Sequence, residues 1–474
     1  MDSTIFYAVS SIFLFYGLAL GFVYVSFIFF STRAISKNKK RTSFLEVEDI
    51  VGATDVPSVT LIAPAFNEGM TILTNVKSLL SIQYPYFRLI VVNDGSSDDS
   101  MEKLIEAYDL EEKDATFITQ PIPTATVKKI YQSRDSRYKH LTVIDKSNGG
   151  RADALNAGIN FADTELILCT DADCIIEADA LLKLVRPFLQ ENDSEVVACG
   201  GSIGIVNDSI VKNGVLKKLL LPKKLLSTTQ VVEYIRAFLL GRMAWSEING
   251  LMLISGALGM YPRLRLIEVG GLDTKTVGED FELSVRLRKH MEDLGLAYKM
   301  VYIPETLCWT ECPDSFNIFI KQRDRWARAL WETLMRHKRL FLNKKYGKMG
   351  MLFFPYWCVF EFGAPIIEFL GLISLLTFAL LGWINWPLAI LLFTFVYLLG
   401  CIFSTIAIFI YVKNFKHYSS GKEITELLLA AYLEPFLFHP VLLYAQVIGY
   451  GKKIFNVKSG WGVMTRKGFG ASQN

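Results

Sequence analysis

Three long apolar stretches flank a middle in which short apolar runs alternate with amphipathic ones, and that pattern predicts membrane helices around an α/β domain. No charged residue occurs from Ile5 to Phe30, and a membrane-spanning helix needs about 20 apolar residues. A cleaved leader wants a basic start, but Asp2 precedes this run and Arg33, Lys37, Lys39, Lys40 and Arg41 follow it. The first stretch therefore reads as a retained span, N-terminus outside and bases in the cytoplasm. Two more apolar regions cover 351–382 and 383–412, joined by an uncharged turn with Trp383 and Trp386 that suits the outer interface. Glu361, Glu368 and Pro365 lie within the second region, where carboxylates face a polar cavity or sit at headgroup depth. Lys413, Lys416, His417 and Lys422 then return the chain to the cytoplasm. Residues 427–449 are apolar but broken at Glu434-Pro435 and His439-Pro440. They read as a bent, interfacial helix pair that keeps the tail cytoplasmic, in preference to a fourth span.

From Val59 to about Thr310 the alternation argues a mixed, mostly parallel sheet. A strand over 59–63 leads into Pro64-Ala-Phe-Asn67-Glu68, and Gly69 opens an amphipathic helix to Leu80. A second strand over 88–92 ends in Asn93-Asp94-Gly95-Ser96-Ser97-Asp98, with Asp98 suited to cap the next helix. Residues 111–138, polar and holding Pro121 and Pro123, read as a long insertion or surface loop. A strand over 141–144 precedes Asn148-Gly149-Gly150-Arg151-Ala-Asp153, the glycines freeing the backbone before a helix whose N-terminus favours anions. Residues 215–224, mixed basic and apolar, read as an amphipathic helix either on the sheet or on anionic lipid.

Composition narrows the class. Of 474 residues 51% are hydrophobic and 20% charged, too apolar for a soluble enzyme and too charged for membrane helices alone. The net charge of +3 offers nothing for nucleic acid. Seven cysteines include no C-x-x-C pair, and Cys308 with Cys312 has no histidine cluster beside it. Reduced core thiols are expected, not zinc.

The candidate chemistry centres on Leu166-Ile-Leu-Cys-Thr-Asp171-Ala-Asp173. Alternate residues of an extended chain share a face, so both carboxylates can leave the carboxyl end of a buried strand, where open α/β sheets bind ligands. Paired carboxylates call for a cation, and a divalent ion on a diphosphate answers that need; an acidic surface turn is the plainer alternative. Glu68 and Asp94 end two earlier strands, placed for a ribose hydroxyl and a base edge, or simply for caps and turns. Ser255-Gly256-Ala257 is small enough to line a groove. Glu279 and Asp280 open a helix, complementing its dipole or offering a base for an attacking hydroxyl. Gln322, Arg325 and Trp326 share a helix face by spacing; a basic juxtamembrane helix is the plainer alternative.

Taken in order, Pro64-Ala-Phe-Asn67-Glu68, Asn93-Asp94-Gly-Ser-Ser-Asp98, Arg151-Ala-Asp153-Ala-Leu-Asn156, Asp171-Ala-Asp173, Ser255-Gly256-Ala257, Gly278-Glu279-Asp280 and Gln322-Arg323-Asp324-Arg325-Trp326 form a specific series. In it the chain resembles the processive family 2 glycosyltransferases of membranes, the group of hyaluronan, chitin, cellulose and poly-N-acetylglucosamine synthases. The resemblance implies a GT-A fold, Rossmann-like, in the cytosol, joined to transmembrane and interfacial helices. It implies that Glu68, Asp94 and Asp153 hold the uridine and that Asp173, with Asp171, binds Mg²⁺ or Mn²⁺ on the diphosphate of a UDP-sugar. Asp171 is alternatively a ribose contact. Asp280 would be the general base. Ser255, Gly256, Glu279, Gln322, Arg325 and Trp326 would lie by the diphosphate and the acceptor sugar. Trp461, Thr465 and Arg466 would form a gating loop, although two residues separate Gly462 from Thr465 where relatives have a tighter Trp-Gly-Thr-Arg.

The expected organisation is a membrane helix (1–32), a basic cytosolic linker (33–56), the transferase domain (57–315) and interfacial helices (316–349). Two membrane helices (350–412), a loop with bent helices (413–450) and the gating tail (451–474) complete it. The function so implied is inverting, processive transfer from UDP-N-acetylglucosamine or UDP-glucose to a β-linked polysaccharide at the plasma membrane, by a multi-pass protein with a cytoplasmic catalytic domain. Its partners would be the UDP-sugar, a glycan acceptor and the lipid bilayer, with no nucleic acid. Three spans are few for an export channel, so an accessory secretion partner is expected as well. The alternatives are transfer of a single sugar to a lipid-linked or short glycan, and a catalytically dead membrane scaffold.

Overall fold

The apolar runs of the middle pair into one ten-stranded sheet. A computed structural model describes residues 2–42, 56–113, 120–189, 193–212 and 214–457, so the tail positions Trp461, Thr465 and Arg466 lie outside the described residues. In chain order the strands are β1 (Val59–Ala65), β2 (Phe87–Asn93), β3 (Leu110–Lys113), β4 (Val127–Ser133), β5 (Leu141–Lys146), β6 (Leu166–Thr170), β7 (Ile175–Ile176), β8 (Glu195–Ile205), β9 (Ile210–Lys212), β10 (Val215–Lys218), β11 (Leu258–Pro262) and β12 (Tyr298–Thr310). Spatial order in the large sheet is β3-β4-β5-β2-β1-β6-β11-β8-β12-β7.

The four central strands β5, β2, β1 and β6 run parallel, and antiparallel neighbours flank them, β4 on one side and β11 on the other. This is the mixed GT-A-type sheet that the sequence predicts. Parallel register aligns the strand ends: Asn93 stands level with Ala65 and with Asp145. The central strands are near-continuously apolar and buried on both faces, as parallel strands covered by helices must be. Helix Arg151–Phe161 supplies part of that cover. Its Gly158 lies so close to the sheet that an added Cβ would stand 2.3 Å from Ile62 Cγ2.

Two expectations fail locally. Residues 111–138 are not a loop insertion, because they contain most of β3, all of β4 and a 3₁₀ turn at Ser136–Tyr138. β4 lies one strand in from the edge and buries only Ile130, so it carries no apolar run for a pattern search to find. Residues 215–224 begin not as a helix but as β10, antiparallel to β9; the next helix starts at Leu225. The capping expectation shifts by one position. Asp99 occupies the cap of helix Ser100–Tyr108, while Asp98 accepts from the Ser100 N–H at 3.2 Å and the Gly69 N–H at 2.8 Å.

The chain divides into two compact units. The sheet unit holds residues 36–220 and 251–311; a helical unit holds 2–35, 221–250 and 312–457. Among the described residues three helices are long and apolar enough to cross a membrane: Thr4–Lys40, Met349–Leu380 and Trp386–Phe415. Gly421–Leu437 and His439–Ile454 form a pair bent by 51° at the predicted break. The acids of the second region have partners: Tyr356 donates to Glu361 at 3.1 Å, and His439 lies 2.7 Å from Glu368. All seven cysteines are free thiols and six are buried, as expected for core residues.

The close approach at Gly158 gives a stability test. Alanine there gains helix propensity, yet overpacking against Ile62 outweighs it, so Gly158→Ala should cost about 1–3 kcal/mol. Thermal unfolding in detergent reads this as a lowered midpoint.

Candidate active site

The carboxyl ends of β1, β2 and β6 carry the predicted acids to one edge of the sheet. β2 ends at Asn93, and Asp94 is almost fully buried beyond it. The Asp94 carboxylate accepts from the N–H groups of Gly149 (3.0 Å) and Gly150 (2.7 Å), which begin helix Arg151–Phe161. A glycine at 95 is required: its φ is +72°, and a Cβ would come 2.7 Å from the Asn148 nitrogen. Lys146, the last residue of β5 and wholly buried, bridges Asp94 at 2.5 Å and Asp153 at 2.6 Å. Asp153 also accepts from the Ala125 N–H at 3.0 Å. Two of the three proposed uridine residues are thus joined through one lysine, whose part in the site the sequence reading missed. The signal available was a lone lysine closing an apolar strand at the acid-bearing edge. Glu68, half-buried after β1, accepts from the Thr71 hydroxyl at 2.7 Å.

Asp171 and Asp173 follow β6 directly. Their carboxylates and the Cys174 thiol place ligand atoms within 4.8 Å of one another. Contact with the Cys308 thiol, then burial, holds the Cys174 thiol well above its ordinary range. The ionised donors are therefore carboxylate oxygens, the set that Mg²⁺ and Mn²⁺ prefer.

Arg151 knots the site together. Its Nε donates to Asp171 at 2.6 Å, its Nη1 to Glu279 at 2.6 Å and its Nη2 to the Gly256 carbonyl at 2.9 Å. Burial penalises the guanidinium charge, yet Asp171 and Glu279 outweigh it and hold Arg151 above its ordinary range. Glu279 is pushed up by burial, which the Arg151 charge only partly offsets. Glu279 and Asp280 open helix Glu279–Leu294. The Gly256 N–H donates to Asp280 Oδ2 at 2.9 Å, and the Phe281 N–H contacts Oδ1 at 2.8 Å. Gly256 thus serves both neighbours, accepting from Arg151 and donating to Asp280. Ser255, half-buried beside it, takes the Leu258 N–H on its carbonyl at 3.1 Å.

Gln322, Arg325 and Trp326 belong to helix Phe316–Arg336 of the helical unit. The shared face expected from spacing has unequal exposure, Gln322 being buried and Trp326 40% exposed. Arg323 lies 4.1 Å from the Trp326 ring centroid, stacked over it.

Comparison with known proteins adds family membership. The model described as "Glycosyltransferase like family 2" matches residues 57–329. The poly-beta-1,6-N-acetyl-D-glucosamine synthase of Staphylococcus epidermidis is 29% identical over 281 residues, 59% of this chain and 56% of that protein. Its Staphylococcus aureus counterpart is 27% identical over 327 residues, covering 68% and 66%. The matched stretch thus spans under two thirds of either relative's length. Among solved structures, a Pyrobaculum calidifontis mannosyltransferase in complex with GDP-Man and Mn²⁺ aligns over 95% of this chain and 100% of its own, with 16% identity and a TM-score of 0.49.

Arg151→Met leaves Glu279 buried without its counter-charge and should cost about 3 kcal/mol at neutral pH. A carboxyl whose folded pKa is raised loses stability as pH climbs above its unfolded value. Losing Arg151 raises Glu279 further, so thermal unfolding should show a larger deficit at pH 8 than at pH 5.

Proposed function

The chain belongs to glycosyltransferase-like family 2, and on that premise we propose that it is an inverting, processive enzyme transferring a sugar from a UDP-sugar to a growing β-linked polysaccharide at the membrane. The observation that carries the proposal is the convergence of Asp94, Asp171, Asp173 and Asp280 on one sheet edge, tied through Gly149, Gly150, Arg151 and Gly256. UDP-N-acetylglucosamine is the preferred donor reading over UDP-glucose, supported by the names of the Staphylococcus relatives.

In this reading Glu68, Asp94 and Asp153 bind the uridine, with Lys146 keeping the latter two carboxylates in place. Asp171 and Asp173 hold Mg²⁺ or Mn²⁺, which would neutralise charge on the departing diphosphate. Asp280, held by two backbone N–H groups, takes the proton from the acceptor hydroxyl. That oxygen bonds to the anomeric carbon as the carbon–diphosphate bond breaks on the opposite face, giving inversion. Gln322, Arg325 and Trp326 serve the diphosphate and the terminal acceptor sugar, and Trp461, Thr465 and Arg466 close over the nucleotide. The catalytic domain is cytoplasmic in a multi-pass protein of the plasma membrane, with the bent pair at the interface and an accessory partner aiding secretion.

Single-sugar transfer is the second reading, favoured by the presence of only three long apolar helices among the described residues. Purified protein given each UDP-sugar in turn separates the two. The proposal expects UDP release and long polymer from one donor; mono-addition alone overturns processivity. Asp280→Asn should lower turnover about 10²–10⁴-fold with donor binding retained. Unchanged UDP release in that variant would remove Asp280 as the base and revive the scaffold reading.

A further inference from the structure

The stretch 336–348 between helix Phe316–Arg336 and the apolar helix Met349–Leu380 has no part in the proposed chemistry, yet it is tightly built. Asn343 closes it in both directions, donating to the Arg339 carbonyl at 3.0 Å and accepting from the Lys345 N–H at 3.0 Å. Leu340, Tyr346 and Met349 are buried and pin its base. Gly350 packs against its backbone, since a Cβ there would stand 2.2 Å from the Asn343 carbonyl oxygen and 3.0 Å from that of Leu340. At the apex Phe341 and Leu342 are 45% and 56% exposed. Leu342 has φ +52°, a left-handed conformation that bulky residues seldom adopt and that persists only when the surroundings impose it.

Around this apolar apex six bases are exposed: Arg336, Lys338, Arg339, Lys344, Lys345 and Lys348. The sequence holds no acid from Thr333 to Phe360, and Glu332 just before is paired with Lys453. Two exposed apolar side chains flanked on both sides along the chain by exposed cations match a surface with anionic groups above an apolar layer. The loop directly precedes Met349–Leu380, a helix long and apolar enough to cross a membrane, so in the multi-pass reading of the chain a bilayer lies next to it. A bilayer leaflet fits both features; an acidic soluble protein would meet the charge but leave the apolar apex without a counterpart.

We infer that this loop is a docking surface for anionic phospholipid, with Phe341 and Leu342 inserted below the phosphates and the six bases paired to them. Juxtamembrane bases gain from anionic lipid, and salt screens that gain. Neither the sugar donor nor the transfer reaction enters the inference, so it stands or falls separately from the proposed activity.

The test is lipid selectivity of the full-length protein. Protein equilibrated in mixed phosphatidylcholine–phosphatidylglycerol micelles is repurified, and its retained lipid is measured by mass spectrometry. The expected result is about threefold or greater enrichment of phosphatidylglycerol over the bulk ratio, shrinking in about 0.5 M NaCl. Lys338→Gln, Arg339→Gln, Lys344→Gln and Lys345→Gln together should cut the enrichment at least about twofold, the remainder being held by the bases at 33–41 and 413–422, with an unchanged unfolding midpoint in phosphatidylcholine nanodiscs. Phe341→Ser with Leu342→Ser should leave a weaker enrichment that salt abolishes. Retention at the bulk ratio by the wild-type protein, or undiminished enrichment in the quadruple variant, overturns the inference. Should the quadruple variant fail to assemble, the Lys338/Arg339 and Lys344/Lys345 pairs are tested apart, and the wild-type arm needs no variant at all.

Discussion

One guanidinium holds the candidate site in register. Arg151 reaches the end of β6 through Asp171, the start of helix Glu279–Leu294 through Glu279, and the Gly256 turn through its carbonyl. Arg151 lies 20, 128 and 105 residues from these three partners, and it joins them alongside the Thr170 hydroxyl on the Ala257 carbonyl and the Gly256 N–H on Asp280. Asp171, Glu279 and Asp280 all act on its charge, and Asp173 stands beside Asp171, their carboxylate oxygens within 4.8 Å of one another. Two carboxylates held that close favour a divalent cation between them, and their oxygen donors fit that demand.

A second buried cation works on the neighbouring strand ends. Lys146 sits between Asp94 and Asp153, while Asp94 also receives two backbone N–H groups at the start of helix Arg151–Phe161. Buried charge is tolerated only when paired and hydrogen-bonded, and both conditions are met here. The outcome is rigid: Asp94 is fixed before any ligand arrives, so recognition by it would cost little reordering. The Gly158–Ile62 contact keeps that helix seated on the sheet, and with it Arg151 at the helix start.

Much of this was legible in the sequence where the signal is local. Apolar strand runs ending in acids marked β1, β2 and β6, and they met at one edge because parallel strands align their carboxyl ends. Three long apolar stretches marked the long helices, and Glu434-Pro435 with His439-Pro440 marked the bend. What the sequence hid is tertiary. β4 lies one strand in from the sheet edge with only Ile130 buried, so it looked like loop. β10 carries two lysines in four residues and resembled a helix face, its partner β9 being too short to reveal a hairpin. Lys146 and Arg151 matter through partners 7 to 128 residues away, a relation no spacing rule contains. Arg323 stacks over Trp326, an i,i+3 contact that helical spacing allows but that the grouping of Trp326 with Gln322 and Arg325 passed over.

The central claim is that this sheet edge binds a nucleoside diphosphate through a metal on Asp171 and Asp173. Calorimetric titration of UDP into the purified full-length protein, with Mn²⁺ and again after chelation, tests it most directly. The account predicts saturable binding with Mn²⁺, lost on chelation and lost in Asp173→Asn with the metal present. UDP binding of equal strength without metal, or undiminished in Asp173→Asn, would contradict it.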